Sequence, residues 1–284
     1  MILFLASTND LAANNIQTYL QETYDFREST INCGVGSLTE YQGIFLLRVN
    51  EEIVTADLKQ VETELEPELI IALSRHRAES KMPALLAHPQ GNWTKQVALG
   101  GQAETISMTS GTALKLAINA LKEQKNELKL ENYLCGLEVT HHGPITAAPM
   151  IFIEIGSSKD EWAKSEPAEA VGEAAIQVAR NWSQSFPTVV GIGGTHYAPR
   201  FNELIGRTAF AVSHVMPKYV LDSANLPRML EQAILKTSEQ VEICAYDHGG
   251  TKSLQRTQAR EVAESLGLEF VRVRDLLRNH DQNI

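Results

Sequence analysis

The stretch Ile2-Leu3-Phe4-Leu5-Ala6-Ser7-Thr8-Asn9-Asp10-Leu11 predicts a strand, a turn and the start of a helix, and the fold class follows from this order. The apolar run Ile2 to Leu5 predicts a buried strand, and the polar residues that follow it predict a turn with helix-capping side chains. From Leu11 to Glu22, apolar residues recur at helical spacing. A strand that runs directly into a helix is the repeating unit of α/β proteins.

The same alternation continues along the whole chain. Further apolar runs predict strands at Gly43 to Val49, Leu69 to Leu73, Ala84 to Ala87, Tyr133 to Val139, Met150 to Ile155, Thr188 to Ile192, Val241 to Ala245 and Glu269 to Val273. Helical patterns lie between them at Ser110 to Gln124, Pro167 to Ser185, Pro227 to Thr237 and Ser253 to Leu266. We therefore predict an α/β fold with a mixed, largely parallel sheet flanked by helices.

The organisation predicted for the chain is a single domain over residues 1–284. No Gly/Ser-rich or Pro-rich linker divides it, and a small excursion is expected around residues 25–65. The acidic stretch Glu51 to Glu68 is typical of a solvated helix or loop face.

Composition limits the classes of function. The formal net charge of −10 argues against a protein that grips nucleic acid over its whole surface, although a local basic patch is compatible with it. Cys33, Cys135 and Cys244 are far apart, which disfavours a disulfide framework or a zinc ribbon and favours a reducing compartment. The apolar run after Met1 is too short for a signal-peptide core, and there is no stretch of about 20 apolar residues. We expect a cytoplasmic protein without a membrane segment.

Histidines mark the candidate site, because most of the 8 histidines follow a predicted strand or begin a glycine or proline turn. In Glu138-Val139-Thr140-His141-His142-Gly143-Pro144, a strand runs into paired histidines. In Gly191-Ile192-Gly193-Gly194-Thr195-His196, another strand ends in a glycine turn whose N–H groups can converge on an anion or an oxyanion. The alternatives are that the histidine pair makes only structural hydrogen bonds and that the glycine segment is an ordinary tight turn. Neither a dinucleotide fingerprint nor a Walker loop is present.

Three further histidines, His76, His88 and His214, lie in or just after apolar runs. Neutral imidazole is both a common zinc ligand and a general base near neutral pH, so converging histidines suit a hydrolase that activates water. Glu138 and Glu154 interrupt apolar strands, and a buried carboxylate needs a cation, a metal or a donor. No serine nucleophile elbow occurs, and Cys135 and Cys244 are expected to be packed within strands.

Basic residues gather near the end of the chain and close to the histidine turns. The helix after Asp247-His248-Gly249-Gly250-Thr251-Lys252 would offer its N–H groups and Lys252 to a phosphate. Salt bridges with Glu261 and Glu264 on the same helix are the alternative. A local surface for an anionic ligand is predicted from Arg75, Arg77, Arg200, Lys218, Lys252, Arg256 and Arg260.

Four motifs together resemble the archaeal and plant type of D-aminoacyl-tRNA deacylase, over essentially the full chain. They are Ser74-Arg75-His76, Glu138 to Pro144, Phe152-Ile153-Glu154-Ile155-Gly156-Ser157-Ser158 and Gly191 to Phe201. The resemblance implies a zinc-dependent hydrolase of the ester that links a D-amino acid to tRNA, with a fold similar to peptidyl-tRNA hydrolases and nucleoside phosphorylases. His248 stands where a lysine would be expected before the glycine, so no role is assigned to it.

We hypothesise a site built on this resemblance. The expected zinc ligands are His88, His141, His142, Glu154 and His196, holding two ions, or one ion beside a histidine base. Bound zinc lowers the pKa of water to about 7. The expected catalytic groups are His141, His142 and Glu138, with N–H groups of Gly193 and Gly194 at the oxyanion. Substrate contacts are expected from His76, Arg75, Arg200, His214, Lys218, Lys252, Arg256 and Arg260.

The expected partner is the 3′ end of an aminoacylated tRNA, in translation quality control and the removal of D-amino acids. Neither DNA nor a membrane is expected as a partner, and the chain is expected to be a monomer. Two alternatives are a metal-free hydrolase or nucleoside phosphorylase-like enzyme with His141 as base, and a tRNA-binding protein whose histidines are structural.

Overall fold

The computed structural model describes residues 1–31, 34–97 and 99–281. Within these residues, the strands are β1 (Ile2–Ser7), β2 (Arg27–Glu28), β3 (Ser37–Tyr41), β4 (Ile44–Val49), β5 (Leu69–Arg77), β6 (Ala84–His88), β7 (Gly91–Asn92), β8 (Thr105–Ile106), β9 (Leu134–Leu137), β10 (Met150–Ser157), β11 (Thr188–Ile192), β12 (Ala211–Met216), β13 (Val241–Tyr246) and β14 (Glu269–Arg272). The helices are α1 (Leu11–Thr23), α2 (Lys59–Leu65), α3 (Gly111–Glu127), α4 (Lys159–Trp162), α5 (Ser165–Asn181), α6 (Pro199–Arg207), α7 (Leu226–Leu235), α8 (Ser253–Ser265) and α9 (Val273–Asp281). Cys33 lies outside the described residues.

The chain divides into two compact units, each assembled from several segments. The first comprises Met1–Ala87, Leu116–Gly136 and Thr146–Ser183, and the second comprises His88–Lys115, Leu137–Ile145 and Gln184–Ile284. Neither unit is a contiguous half of the chain, and the expectation of a single domain stays a prediction.

The first unit is built on an eight-stranded sheet with the order β2-β3-β4-β1-β5-β10-β6-β9. β1 lies between β4 and β5 and is parallel to both, and β10 is parallel to β5. β2 and β3 form an antiparallel edge. Every residue of β1 is buried, as expected for a strand covered on both faces. Its core includes Leu3, Leu47, Ile70 and Phe152.

Helix α1 starts at Leu11, directly after the polar turn, as the sequence predicted. The carboxylate of Asp10 accepts hydrogen bonds from the N–H groups of Ala12 and Ala13, which satisfies two of the free donors at the helix start. Helix α5 approaches α1 closely at Gly172, where a Cβ atom would lie 2.7 Å from the ring of Tyr19. Only glycine fits this crossing without displacing the ring.

The second unit contains a four-stranded parallel sheet with the order β12-β11-β13-β14, and a short antiparallel pair, β7 and β8. Its core is formed by strand and helix side chains such as Val190, Met216, Leu230 and Cys244.

The predicted α/β fold class is confirmed, since all nine predicted strands occur, as β1, β4, β5, β6, β9, β10, β11, β13 and β14. The five predicted helices correspond to α1, α3, α5, α7 and α8. Part of the acidic stretch forms α2, whose Val61 and Leu65 are buried. No helix in the described part of the chain has the length and apolarity needed to span a bilayer.

Candidate active site

The paired histidines lie in a loop that follows β9 in the second unit and is held by backbone hydrogen bonds. The N–H of Val139 donates to the carbonyl oxygen of His196 at 3.0 Å, and the N–H of Thr140 donates to that of Val215 at 3.2 Å. These bonds join the loop that carries the paired histidines to the loop after β11 and to β12. The predicted convergence of two histidine turns is thereby observed within one unit.

Three imidazoles, of His88, His141 and His142, form a cluster that we call the His88 group. Their ring centroids lie 4.2 to 4.8 Å apart. One potential ligand atom from each ring lies within 4.8 Å of the other two, which is close enough for the three to hold one metal ion. His88 is completely buried, and the other two are partly buried.

Hydrogen bonds assign the tautomers of the His88 group. Each Nδ1 atom lies near a backbone carbonyl oxygen: 3.1 Å from Pro89, 2.8 Å from Val139 and 2.6 Å from Gly143. A carbonyl oxygen can only accept, so each Nδ1 must carry the proton. In the neutral ring this leaves the lone pair on Nε2, the arrangement typical of histidine metal ligands whose other nitrogen is fixed by a backbone carbonyl.

Burial and charge favour a neutral ring at His141. Desolvation, together with the nearby imidazoles of His88 and His142, holds the pKa of His141 well below 6.5. A neutral imidazole is the form that binds metal. The backbone of His142 has a φ of 44°, a left-handed conformation that is costly for a non-glycine residue and that sites of function retain.

Glu138, His196 and Tyr219 form a second arrangement beside His141. Glu138 is fully buried, and its Oε1 lies 2.7 Å from Nε2 of His196. Because a carboxylate accepts, Nε2 of His196 carries the proton, which is the opposite tautomer to that of the His88 group. Nδ1 then accepts a hydrogen bond from the Tyr219 hydroxyl at 3.2 Å. Desolvation of the hydroxyl and the charge of Glu138 raise the pKa of Tyr219 to about 12, although the residue as a whole is 56% exposed, so this hydroxyl stays protonated.

Glu138 and His196 could also hold a metal together with His141, since ligand atoms of these three residues lie within 4.8 Å of one another. Sequence reasoning did not single out Tyr219. The only sequence signal was its position directly after Pro217-Lys218, at the end of a histidine-bearing segment.

The glycine turn departs from the expectation in one respect. Gly193 and Gly194 have φ values of 93° and 85°, so both need the freedom of glycine. The N–H of Gly193, however, donates to the carbonyl oxygen of Met216 at 2.8 Å, because it closes the turn after β11. It is therefore not available to an oxyanion, and the expected role of the Gly194 N–H stays a prediction.

Glu154, His76 and Arg75 lie in the first unit. Glu154 is buried on β10, with Oε2 3.6 Å from Nδ1 of His76 on β5. The guanidinium of Arg75 pairs with Glu52 at 2.8 Å and with Asp10 at 3.4 Å. Arg75 is thus neutralised within the unit, and Glu154 lies beside His76; the expected roles of all three in metal or substrate binding stay predictions.

His214, expected to contact substrate, is completely buried in β12. Its Nδ1 lies 3.1 Å from the hydroxyl of Thr140, and its Nε2 lies 3.4 Å from the carbonyl oxygen of Lys236. Desolvation lowers the pKa of His214 to about 4. This environment favours a structural role, in which His214 supports the residue next to His141.

The predicted basic residues of the second unit are largely engaged in local contacts. Arg200 pairs with Glu203 at 2.8 Å, and Arg260 lies over the ring of Phe270 and 3.9 Å from Glu264, which is one of the predicted helix salt bridges. Arg256 donates to the carbonyl oxygen of Thr251.

Lys218 and Lys252 line a depression of about 350 Å³ beside Gly249 and Gly250. Lys252 forms an ion pair with Asp222 there.

The two described cysteines are packed rather than reactive, as expected. Burial raises the pKa of Cys135 to about 11 and that of Cys244 to about 12, so neither supplies a thiolate at neutral pH.

Known proteins are similar to this chain in sequence and in fold. The sequence model of a family described as D-aminoacyl-tRNA deacylase matches residues 63–271. A D-aminoacyl-tRNA deacylase of Thermococcus kodakarensis is 36% identical over 96% of this chain and 100% of its own length, and one of Methanosarcina acetivorans is 33% identical over 95% and 92%. A crystal structure of a conserved protein of unknown function superposes with a TM-score of 0.91 at 28% identity, covering 98% of this chain and 97% of the other.

Proposed function

The chain belongs to the D-aminoacyl-tRNA deacylase family, and from this premise we propose that it hydrolyses the ester bond between a D-amino acid and the 3′ ribose of tRNA. The products are the free D-amino acid and tRNA, so the reaction removes wrongly charged tRNA from translation. The formal net charge of −10 suits an enzyme that holds one end of tRNA briefly through a few cations.

The observation that carries the proposal is the His88 group. Three imidazoles whose Nδ1–H groups are fixed by the backbone can each present Nε2 as a ligand atom within one cluster. Zinc in catalytic sites commonly takes three protein ligands of this kind. We assign His88, His141 and His142 as the residues that would hold it. When bound, zinc supplies activated water at neutral pH and a Lewis acid for the ester carbonyl.

We assign His196 as the general base. The buried carboxylate of Glu138 fixes the ring through Nε2–H, which leaves the lone pair of Nδ1 on the side of Tyr219. A carboxylate that orients a histidine and stabilises its protonated form is the arrangement used in acyl-transfer enzymes. The side chain of His196 is 36% exposed, so a substrate hydroxyl or water that takes the place of the Tyr219 hydroxyl can reach Nδ1. The N–H of Gly194 remains the candidate donor for the oxyanion.

A metal-free reaction with His141 as base is less well supported. Its Nδ1–H is bonded to the carbonyl oxygen of Val139, and its low pKa makes it a poor proton acceptor. A tRNA-binding protein without turnover would leave the contact between Glu138 and His196 without a chemical purpose.

The test combines metal analysis with deacylation. Zinc content would be measured by elemental analysis in the purified protein, after chelation and after reconstitution, and each preparation would be assayed on D-Tyr-tRNA and L-Tyr-tRNA. We expect zinc retention and D-specific hydrolysis, both lost in His142→Ala. The matched control is His248→Ala, which removes an exposed histidine that belongs to no metal-capable group among the described residues.

Two results would contradict the proposal. Full activity in zinc-free protein would exclude the metal assignment, and equal rates on the two enantiomers would exclude the deacylase assignment. Retention of zinc by His142→Ala together with lost activity would move the metal away from the His88 group.

A further inference from the structure

A cavity of about 1230 Å³ opens in the first unit, at the carboxyl ends of β1, β5 and β10. Asn9 follows β1, Arg77 ends β5, and Ser158 follows β10. The parallel registers place Ser157 opposite Arg77, so the ends of β5 and β10 meet at the same edge of the sheet. We call this space the β1/β5 cavity.

The sheet topology identifies this edge as a place where ligands bind. From β1 the chain passes to β4 on one side, and from β4 it crosses to β5 on the other side of β1. The strand order therefore reverses between β1 and β5. In open α/β sheets, ligands bind in the crevice outside the carboxyl ends of the strands at such a reversal.

The charge of the cavity is opposite to that of the chain. The protein has 35 acidic and 25 basic residues, yet four cations line the cavity against two carboxylates. Arg75 is neutralised by Glu52 and Asp10. Arg77, Lys81 and Lys159 form no ion pair within 4.0 Å across residues 1–31, 34–97 and 99–281, and all three are exposed.

We propose that the β1/β5 cavity is a phosphate-binding subsite for a nucleotide. Arg77, Lys81 and Lys159 would neutralise the phosphate, since cations without a protein partner gain the most from an anion. The hydroxyl of Ser158 lines the same space and can donate to a phosphate oxygen. Leu11, which is 45% exposed, gives the cavity an apolar wall against which a base or ribose can pack.

Two sources can supply this phosphate: the single-stranded 3′ end of tRNA, or a free nucleotide. The first source rests on the proposed function, whereas the phosphate chemistry does not. The structure favours the RNA end, because cations spread over the ends of two strands can contact successive phosphates.

The experiment measures binding of three probes, deacylated tRNA, the same tRNA trimmed of its single-stranded 3′ end, and AMP. The variant is Arg77→Ala/Lys159→Ala. Its matched control is Arg27→Ala/Lys59→Ala, which removes two exposed cations of the same unit outside the cavity. Deacylated tRNA has no ester, so the result does not depend on whether the protein hydrolyses one.

We expect the cavity variant to bind intact tRNA at least about tenfold more weakly at low salt. The slope of log affinity against log salt should become shallower by about 1.4, since each phosphate contact in a single strand contributes about 0.7. Trimmed tRNA should bind equally to the variant and the control. Loss of AMP binding alone would support the phosphate subsite with a free nucleotide as its source. Unchanged binding of both intact tRNA and AMP, relative to the control, would overturn the proposal.

Discussion

Acid stability should report the environment of His214. The ring is completely buried and bonded to the hydroxyl of Thr140 and the carbonyl oxygen of Lys236, and desolvation lowers its pKa from 6.5 to about 4. The unfolded chain binds a proton below about pH 6.5, while the folded protein does not bind it until about pH 4. Stability due to this histidine is therefore complete above about pH 6.5 and is lost as the pH falls to about 4.

The size of the effect follows from the two pKa values. The full gap corresponds to about 3 kcal/mol in the free energy of unfolding, since one pKa unit is worth about 1.36 kcal/mol. Between about pH 7.5 and about pH 5, the part lost is about 2 kcal/mol. Complete burial of His214 means that solvent screening does not reduce this value.

Urea unfolding of the protein and of His214→Gln, at about pH 7.5 and about pH 5, would measure this contribution. Glutamine keeps a neutral polar side chain but cannot titrate. Other groups titrate in both proteins, so the difference between their pH dependences isolates His214. We expect the variant to lose about 2 kcal/mol less than the parent on acidification. The exposed control His248→Gln should match the parent. Equal pH dependence in the parent and His214→Gln would show that the buried ring of His214 makes no such contribution to stability.

Two further predictions concern the second unit. Glu138→Gln keeps the size of the side chain but removes the charge that orients His196. Hydrolysis of D-Tyr-tRNA should therefore fall about 10²- to 10⁴-fold while the zinc content stays unchanged. Loss of zinc would instead make Glu138 a metal ligand. Gly250→Ala should lower stability by more than about 2 kcal/mol in thermal unfolding, because its Cβ would lie 2.2 Å from the nitrogen of Gly194. The control Gly249→Ala should be tolerated, since its Cβ would meet nothing nearer than 3.8 Å. Equal stability of the two alanine variants would contradict this account of the glycine turn.

The sequence predicted the buried strands well because parallel strands covered on both faces are continuous apolar runs. β12 escaped prediction because Ser213 and His214 interrupt its apolar pattern. The structure satisfies both polar groups inside the core: the Thr237 hydroxyl donates to Ser213, and Thr140 pairs with His214. Burial of a polar pair depends on partners that come from distant parts of the chain, and no local pattern reveals them.

The sequence could place histidines at strand ends but could not choose between the two buried carboxylates. Glu138 and Glu154 both interrupt apolar strands, and nothing in their local sequence separates them. The strand neighbours give the two carboxylates different surroundings. Glu154 lies opposite Ser74 in the pairing of β10 with β5, so it faces His76, whereas Glu138 lies just beyond β9, where the loop after β11 brings His196 within 2.7 Å.

The direction of the hydrogen bonds on four histidines separates two chemical roles. A ring whose Nδ1–H is bonded to a carbonyl oxygen offers Nε2 as a ligand, and this holds for every member of the His88 group. His196 differs, since Glu138 holds its Nε2–H and the lone pair of Nδ1 lies toward the exposed Tyr219. An ion shared by Glu138 and His196 would have to displace the proton between them, whereas a base at His196 keeps that bond and gains from it when the ring becomes charged. For this reason the site that we propose has one metal ion beside one histidine base rather than two ions.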